Sequence, residues 1–135
     1  MGRKALTIAP DTNVLIRAIV ADDADQAIVA QRALDEASEV VISTPALCET
    51  VWALMKVYRW GSADVLATIQ QLIEGANVSV DREAVDFGLR VMGKGADFAD
   101  GMIAYDGARS GGIYVTFDRP VARNIAKAGL KVKTL

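Results

Sequence analysis

The feature that most constrains this chain is its alternation of short apolar runs with longer amphipathic ones. That rhythm builds βαβ units on a parallel sheet. Residues 6–9 predict a short strand ended by Pro10 and Asp11, and 14–20 a short helix after it. Residues 23–38 predict a second helix and 40–43 a second, buried strand. Thr44 followed by Pro45 predicts a helix start, with the hydroxyl capping free N–H groups and proline preset for the first turn. That helix should reach about residue 58 and stop near Gly61. Residues 62–74 carry an apolar stripe of Val65, Leu66, Ile69, Leu72 and Ile73, which predicts another helix. A weak strand at 77–80, a helix at 82–92 and a GlyLysGly connection at 93–95 follow. Next come a helix at 98–109, the most strand-like run at 113–117, a helix at 120–128 and a terminal strand at 131–134. The sum is five strands with helices on both faces.

A length of 135 residues, 52% of them hydrophobic, predicts one domain with a genuine core. No run approaches the roughly 20 apolar residues that span a bilayer, and the N-terminus lacks a long apolar leader segment, so a cytoplasmic protein is expected. Cys48 is the only cysteine, which excludes an intrachain disulfide and a CxxC motif; a buried structural thiol is the expectation.

The chain contains no histidine. Ser-His-Asp and Cys-His nucleophilic catalysis, two-His-one-carboxylate iron and His-ligated zinc are thereby excluded. What remains is oxygen ligation of a hard cation such as Mg²⁺ or Mn²⁺. Asp11, Glu49, Asp100 and Asp118 each fall where a strand-like run ends or a helix begins. In open parallel sheets that rim is where ligands bind. Each acid also has an ordinary structural explanation. Asp11 can start a helix, Asp118 can sit in a turn, Asp97 can cap the helix on which Asp100 complements the dipole, and Glu49 shares a helix face with Lys56. Their joint placement is what favours a metal site.

The net charge of −2, from 15 basic and 17 acidic residues, argues at face value against a nucleic-acid partner. Setting the four acids aside leaves 13 acidic residues against 15 basic, so local phosphate binding stays compatible with overall acidity. GlyLysGlyAlaAsp lacks the spacing of a phosphate-binding P-loop, and AspThrAsn at 11–13 lacks the glycine and distal glutamate of an EF-hand. Arg119 and Arg123, four apart beside Asp118, are candidate contacts to a phosphate backbone or a solvated helix face.

The strings AspThrAsnValLeuIleArg at 11–17, the isolated Glu49 after ThrProAlaLeuCys, AspPheAlaAspGlyMetIleAla at 97–104 and ThrPheAspArg at 116–119 together resemble a PIN domain. More closely, the chain is similar to VapC-type toxins of type II toxin–antitoxin pairs. The resemblance implies a three-layer α/β/α fold with a central, mostly parallel five-stranded sheet. It implies that Asp11, Glu49, Asp100 and Asp118 hold Mg²⁺ or Mn²⁺, with Asp97 lining the site or capping its helix. Thr12 and Thr116 would supply hydroxyls near the metal, and Asn13 would brace Asp11. Gly101 departs from the larger residue or alanine often found there, and would loosen its helix turn by up to about 1 kcal/mol relative to alanine.

The activity so implied is hydrolysis of RNA by metal-activated water, with a VapB-like antitoxin as inhibitor. Without metal the crowded carboxylates should be partly protonated or accompanied by a lysine or arginine side chain. The alternatives are a PIN nuclease of RNA processing outside a toxin pair, and a non-catalytic interaction module. A receiver-like domain is disfavoured because ThrPheAspArg lacks the lysine it needs. The apolar stretch Val51, Trp52, Leu54, Met55, Tyr58 and Trp60 is expected to be mostly core, with part forming a homodimer interface or an antitoxin groove.

Overall fold

Among the described residues, side-chain caps start five of the seven helices. In the computed structural model, which describes residues 6–94 and 96–135, the chain divides into two compact units, Met1–Val80 and Asp81–Leu135. Residues 1–5 of the N-terminal segment, and Gly95 of the GlyLysGly connection, lie outside the described residues.

The first unit runs β1 (Thr7–Ile8), α1 (Thr12–Val20), α2 (Ala24–Glu36), β2 (Glu39–Val41), α3 (Thr44–Lys56), α4 (Ser62–Ile73) and β3 (Val78–Ser79). Its three strands are parallel in the order β1-β2-β3, with Ile8 opposite Val40 and Val40 opposite Val78. The Asp11 carboxylate accepts from the Val14 N–H at 2.9 Å, and Asp23 accepts from Gln26 at 3.1 Å. These contacts satisfy donors that a helix start leaves free. The cap of α3 is Ser43, not Thr44: its Oγ accepts from Ala46 at 3.3 Å, while Pro45 occupies the first turn. The extended backbone of β2 thus continues to the hydroxyl itself. Asn77 ties the start of β3 to the end of α2 by donating to the carbonyls of Leu34 and Ala37 at 2.9 and 3.0 Å. Leu15, Leu47, Leu54, Val65 and Ile69 are fully buried.

The second unit comprises α5 (Arg82–Met92), α6 (Phe98–Arg109), β4 (Tyr114–Thr116), α7 (Arg119–Lys127) and β5 (Val132–Thr134). β4 and β5 pair in parallel, Tyr114 opposite Val132 and Thr116 opposite Thr134. Phe87, Val91, Ala96, Ala104, Val121 and Ile125 form its core, against which Tyr105, Tyr114, Leu130 and Val132 pack. Asp81 caps α5 through Ala84 at 3.4 Å, and Asp118 caps α7 through Val121 at 3.0 Å.

All five expected strands are present, and all pairings are parallel. Among the described residues they form a three-stranded and a two-stranded sheet rather than one sheet of five. Strands of two or three residues offer few ladder groups, and here those groups bond only within their own unit.

Gly101 has a role that helix propensity alone does not suggest. A Cβ there would lie 2.5 Å from Val91 Cγ2 and 2.8 Å from Gly88 Cα, while one on Gly88 would meet the Phe98 ring at 2.8 Å. The two glycines let α5 and α6 approach closely. Gly107, on the same helix as Gly101, has open space around the corresponding position. Gly101→Ala is therefore expected to cost about 1–3 kcal/mol by overpacking, whereas Gly107→Ala should stabilise by roughly 0.5–1 kcal/mol through helix propensity. Urea unfolding of both variants checks the opposite signs.

Candidate active site

In the first unit, Asp11 is exposed at the N-terminus of α1 and spends one oxygen, Oδ1, on the Val14 cap. Thr12, the next residue, donates from Oγ1 to Glu49 Oε2 at 3.0 Å. This bond joins the start of α1 to the second turn of α3. It assigns the Thr12 hydroxyl to Glu49. Asp11 is braced by the backbone of α1; among the described hydrogen bonds the Asn13 amide makes none to it. Asn13 instead lines, with Asp11, Arg17, Gln26 and Val29, a groove of about 590 Å³ between α1 and α2.

In the second unit Asp100 stands on the first turn of α6, half-buried, and accepts from the Tyr114 hydroxyl at 2.9 Å. Asp97 occupies the N-cap position of that helix, yet its side chain makes no capping hydrogen bond. Its carboxylate is left as a charge beside Asp100. Burial pushes the Asp100 carboxyl above the usual carboxylate range; the Tyr114 bond opposes this, and the charges of Asp97 and Asp118 add to it. Tyr114 responds in kind, its phenol pushed up to about 12 by burial and by its bond to Asp100. Asp118 is exposed and uses Oδ1 for the α7 cap, while its own N–H donates to Thr116 Oγ1 at 3.0 Å.

Tyr114 is the site residue that the sequence analysis missed. The signal was strand parity: Tyr114 lies two residues before Thr116, hence on the same face of β4. No lysine or arginine pairs with Asp11, Glu49, Asp100 or Asp118 among the described residues, whose ion pairs involve other acids. The relief at Asp100 comes from the Tyr114 hydroxyl and from a shift toward the protonated form.

The donor chemistry fits a hard divalent ion. Every candidate is a carboxylate, and Asp11 and Asp118 each keep Oδ2 clear of the cap. Within each unit, among the described residues, no three carboxylate or thiol groups stand together as a ready-made cage. Like-charge repulsion, already felt by Asp100, opposes such a gathering without a cation.

Elsewhere, Cys48 is half-buried rather than fully buried as expected, and burial raises its thiol pKa. The apolar stretch on and after α3 divides. Val51 and Leu54 are core, while Trp52 is 60% exposed, with Val57 at 59%. Arg119 and Arg123 are exposed on α7 and line a groove of about 510 Å³ with β5 residues Val132 and Thr134. No helix among the described residues is long and apolar enough to cross a membrane.

Parallel βα units whose strand ends and helix starts carry carboxylates define an α/β protein. The PIN domain family model matches residues 8–127, running through both units, and the chain belongs to that family. PIN domains are generally nucleases, hydrolases of phosphodiester bonds. No individual curated protein matches the sequence.

The electrostatics of Asp100 give a signed expectation. Its folded-state pKa lies above the unfolded value, so the folded protein holds that proton more tightly. Ionised Asp100 then costs stability, a cost that appears as pH rises through the unfolded pKa and is complete above the folded one. In chelator at neutral pH, Asp100→Asn should melt higher than the parent, and the advantage should vanish below the carboxylate range. Thermal melts across pH decide it. Tyr114→Phe removes the opposing hydrogen bond and should raise the Asp100 pKa further, as a carboxyl NMR titration would register.

Proposed function

We propose that this PIN domain is a Mg²⁺- or Mn²⁺-dependent endoribonuclease of VapC type, a cytoplasmic toxin neutralised by a VapB-like antitoxin. The observation that carries the reading is the repelling carboxylate group around Asp100 in a member of a nuclease family. A half-buried acid beside Asp97 and Asp118, with no cationic partner among the described residues, is electrostatically suited to a divalent ion.

Asp11, Glu49, Asp100 and Asp118 would hold the ion, with Asp97 as a further acid beside it. When bound, the cation supplies Lewis acidity and lowers the pKa of water for attack on the phosphodiester. The chain's own residues orient and restrain. Val14 and Val121 fix one oxygen each of Asp11 and Asp118, Thr12 holds Glu49, and the Tyr114 hydroxyl sets the rotamer of Asp100 and the face it presents. Thr116 anchors the turn into α7 through the Asp118 N–H. With no histidine in the chain, proton transfer from the attacking water falls to a carboxylate or to solvent.

The toxin role is supported by a second feature of the first unit. A groove of about 540 Å³ presents Ile19, Leu34, Trp60 and Leu72 beside the exposed polar residues Gln31, Asp35 and Gln71. Such an apolar floor with a polar rim suits an amphipathic antitoxin helix. Exposed Trp52 and Val57 support a homodimer contact on α3.

Purified protein incubated with total RNA should release fragments with 5′-phosphate and 3′-hydroxyl ends in Mg²⁺ and none in chelator. Asp11→Asn, Glu49→Gln and Asp100→Asn should each lose at least about 100-fold in rate, the lower bound for losing one oxyanion-type contact, with unchanged circular dichroism. Full activity in a folded Asp100→Asn protein sinks the nuclease assignment. Co-purification of a small DNA-binding neighbour that suppresses cleavage checks the toxin role separately.

A further inference from the structure

Charge is segregated along the second unit. After Asp118 the chain contains no aspartate or glutamate, and it carries Arg119, Arg123, Lys127, Lys131 and Lys133. All five are exposed. None enters an ion pair among the described residues, where Arg17, Arg82 and Arg109 do. In a chain of net charge −2, a run of unpaired cations on one short segment repels itself until an anion meets it.

The segment is also ordered by geometry. α7 is the most sharply amphipathic of the helices: Val121, Ala122 and Ile125 are buried, and Arg119, Arg123 and Lys127 recur every fourth residue on the opposite side. At 100° per residue the three cations span an arc of about 80°, and successive ones rise by roughly 6 Å along the axis. Arg119 and Arg123 form one wall of the groove whose other wall is Val132 and Thr134. The stripe starts at the residue after Asp118 and leads away from it.

We propose that Arg119, Arg123 and Lys127 form the track that holds the phosphate backbone of single-stranded RNA on one side of the cut. The inference rests on the nuclease reading and extends it to how substrate is retained. Guanidinium groups at the near end offer forked, charge-assisted hydrogen bonds to phosphate oxygens, and Lys127 at the far end acts as a point charge. Lys133 supplies the internal control. It lies between Val132 and Thr134 on β5, so strand alternation directs it to the other face of the two-stranded sheet, with the same charge but outside the track.

The test is fluorescence anisotropy of the full chain with a short fluorescein-labelled single-stranded RNA, in EDTA so that nothing is cut, over a series of KCl concentrations. Arg123→Ala with Lys127→Ala should weaken binding and flatten the dependence of log affinity on log salt by roughly 0.7 for each contact removed. Lys133→Ala should leave that slope unchanged. In Mg²⁺, the double variant should raise KM while kcat holds. An unchanged slope in the double variant overturns the proposal, as does an equal loss in Lys133→Ala, which would reduce the effect to net charge. Absence of cleavage by the parent protein would fall on the nuclease reading alone, because the binding slopes are measured without it.

Discussion

Each strand that leads into a helix does so through a side-chain cap. Asp11 after β1, Ser43 after β2, Asp81 after β3 and Asp118 after β4 each accept from the backbone N–H three residues on. The constraint is elementary: a helix start leaves N–H groups without partners, and a short side-chain oxygen on an extended residue is the nearest remedy. It also places oxygen ligands at the carboxyl ends of parallel strands, where binding sites form in such sheets. Fold and proposed site therefore draw on the same residues. A carboxylate has two oxygens, so Asp11 and Asp118 cap with one and leave the other clear of the cap.

Asp97 breaks this pattern informatively. It holds the N-cap position of α6 without using its side chain there, and its charge instead raises the pKa of Asp100. A residue that forgoes a cap generally worth about 1 kcal/mol, and adds repulsion to a half-buried acid, stands against local stability. The compensating contacts are the Tyr114 hydroxyl on Asp100 and the close α5–α6 approach at Gly88 and Gly101, which holds the first turn of α6 in place. Conflict between local stability and electrostatics at one turn supports the proposed cation site.

Much of this was legible in the residues. The helices at Arg82–Met92 and Phe98–Arg109 have the expected bounds, which the flanking turn residues mark. Asp11 was legible as a helix starter and Asp118 as a turn residue, and the structure gives both a helix cap that leaves Oδ2 clear of it. Less legible was Tyr114, because its partner Asp100 lies 14 residues earlier and only the parity of β4 hints at the meeting. Gly101 was misjudged as a source of looseness. A propensity scale describes an isolated helix, and the neighbour that requires glycine, Gly88, belongs to another helix.

By itself the sequence narrowed the chemistry by exclusion and set the local architecture. The missing histidines exclude whole families of mechanism, the placement of acids favours oxygen ligation, and the alternation of apolar runs dictates βα units. Those properties are set by residue type and short-range spacing, which the chain carries without folding. Only the tertiary structure decided that the strands pair as three and two, that Thr12 is committed to Glu49, and that Tyr114 rather than a lysine answers the charge of Asp100. Each depends on groups brought within hydrogen-bonding distance across many residues, where packing and burial select the partner.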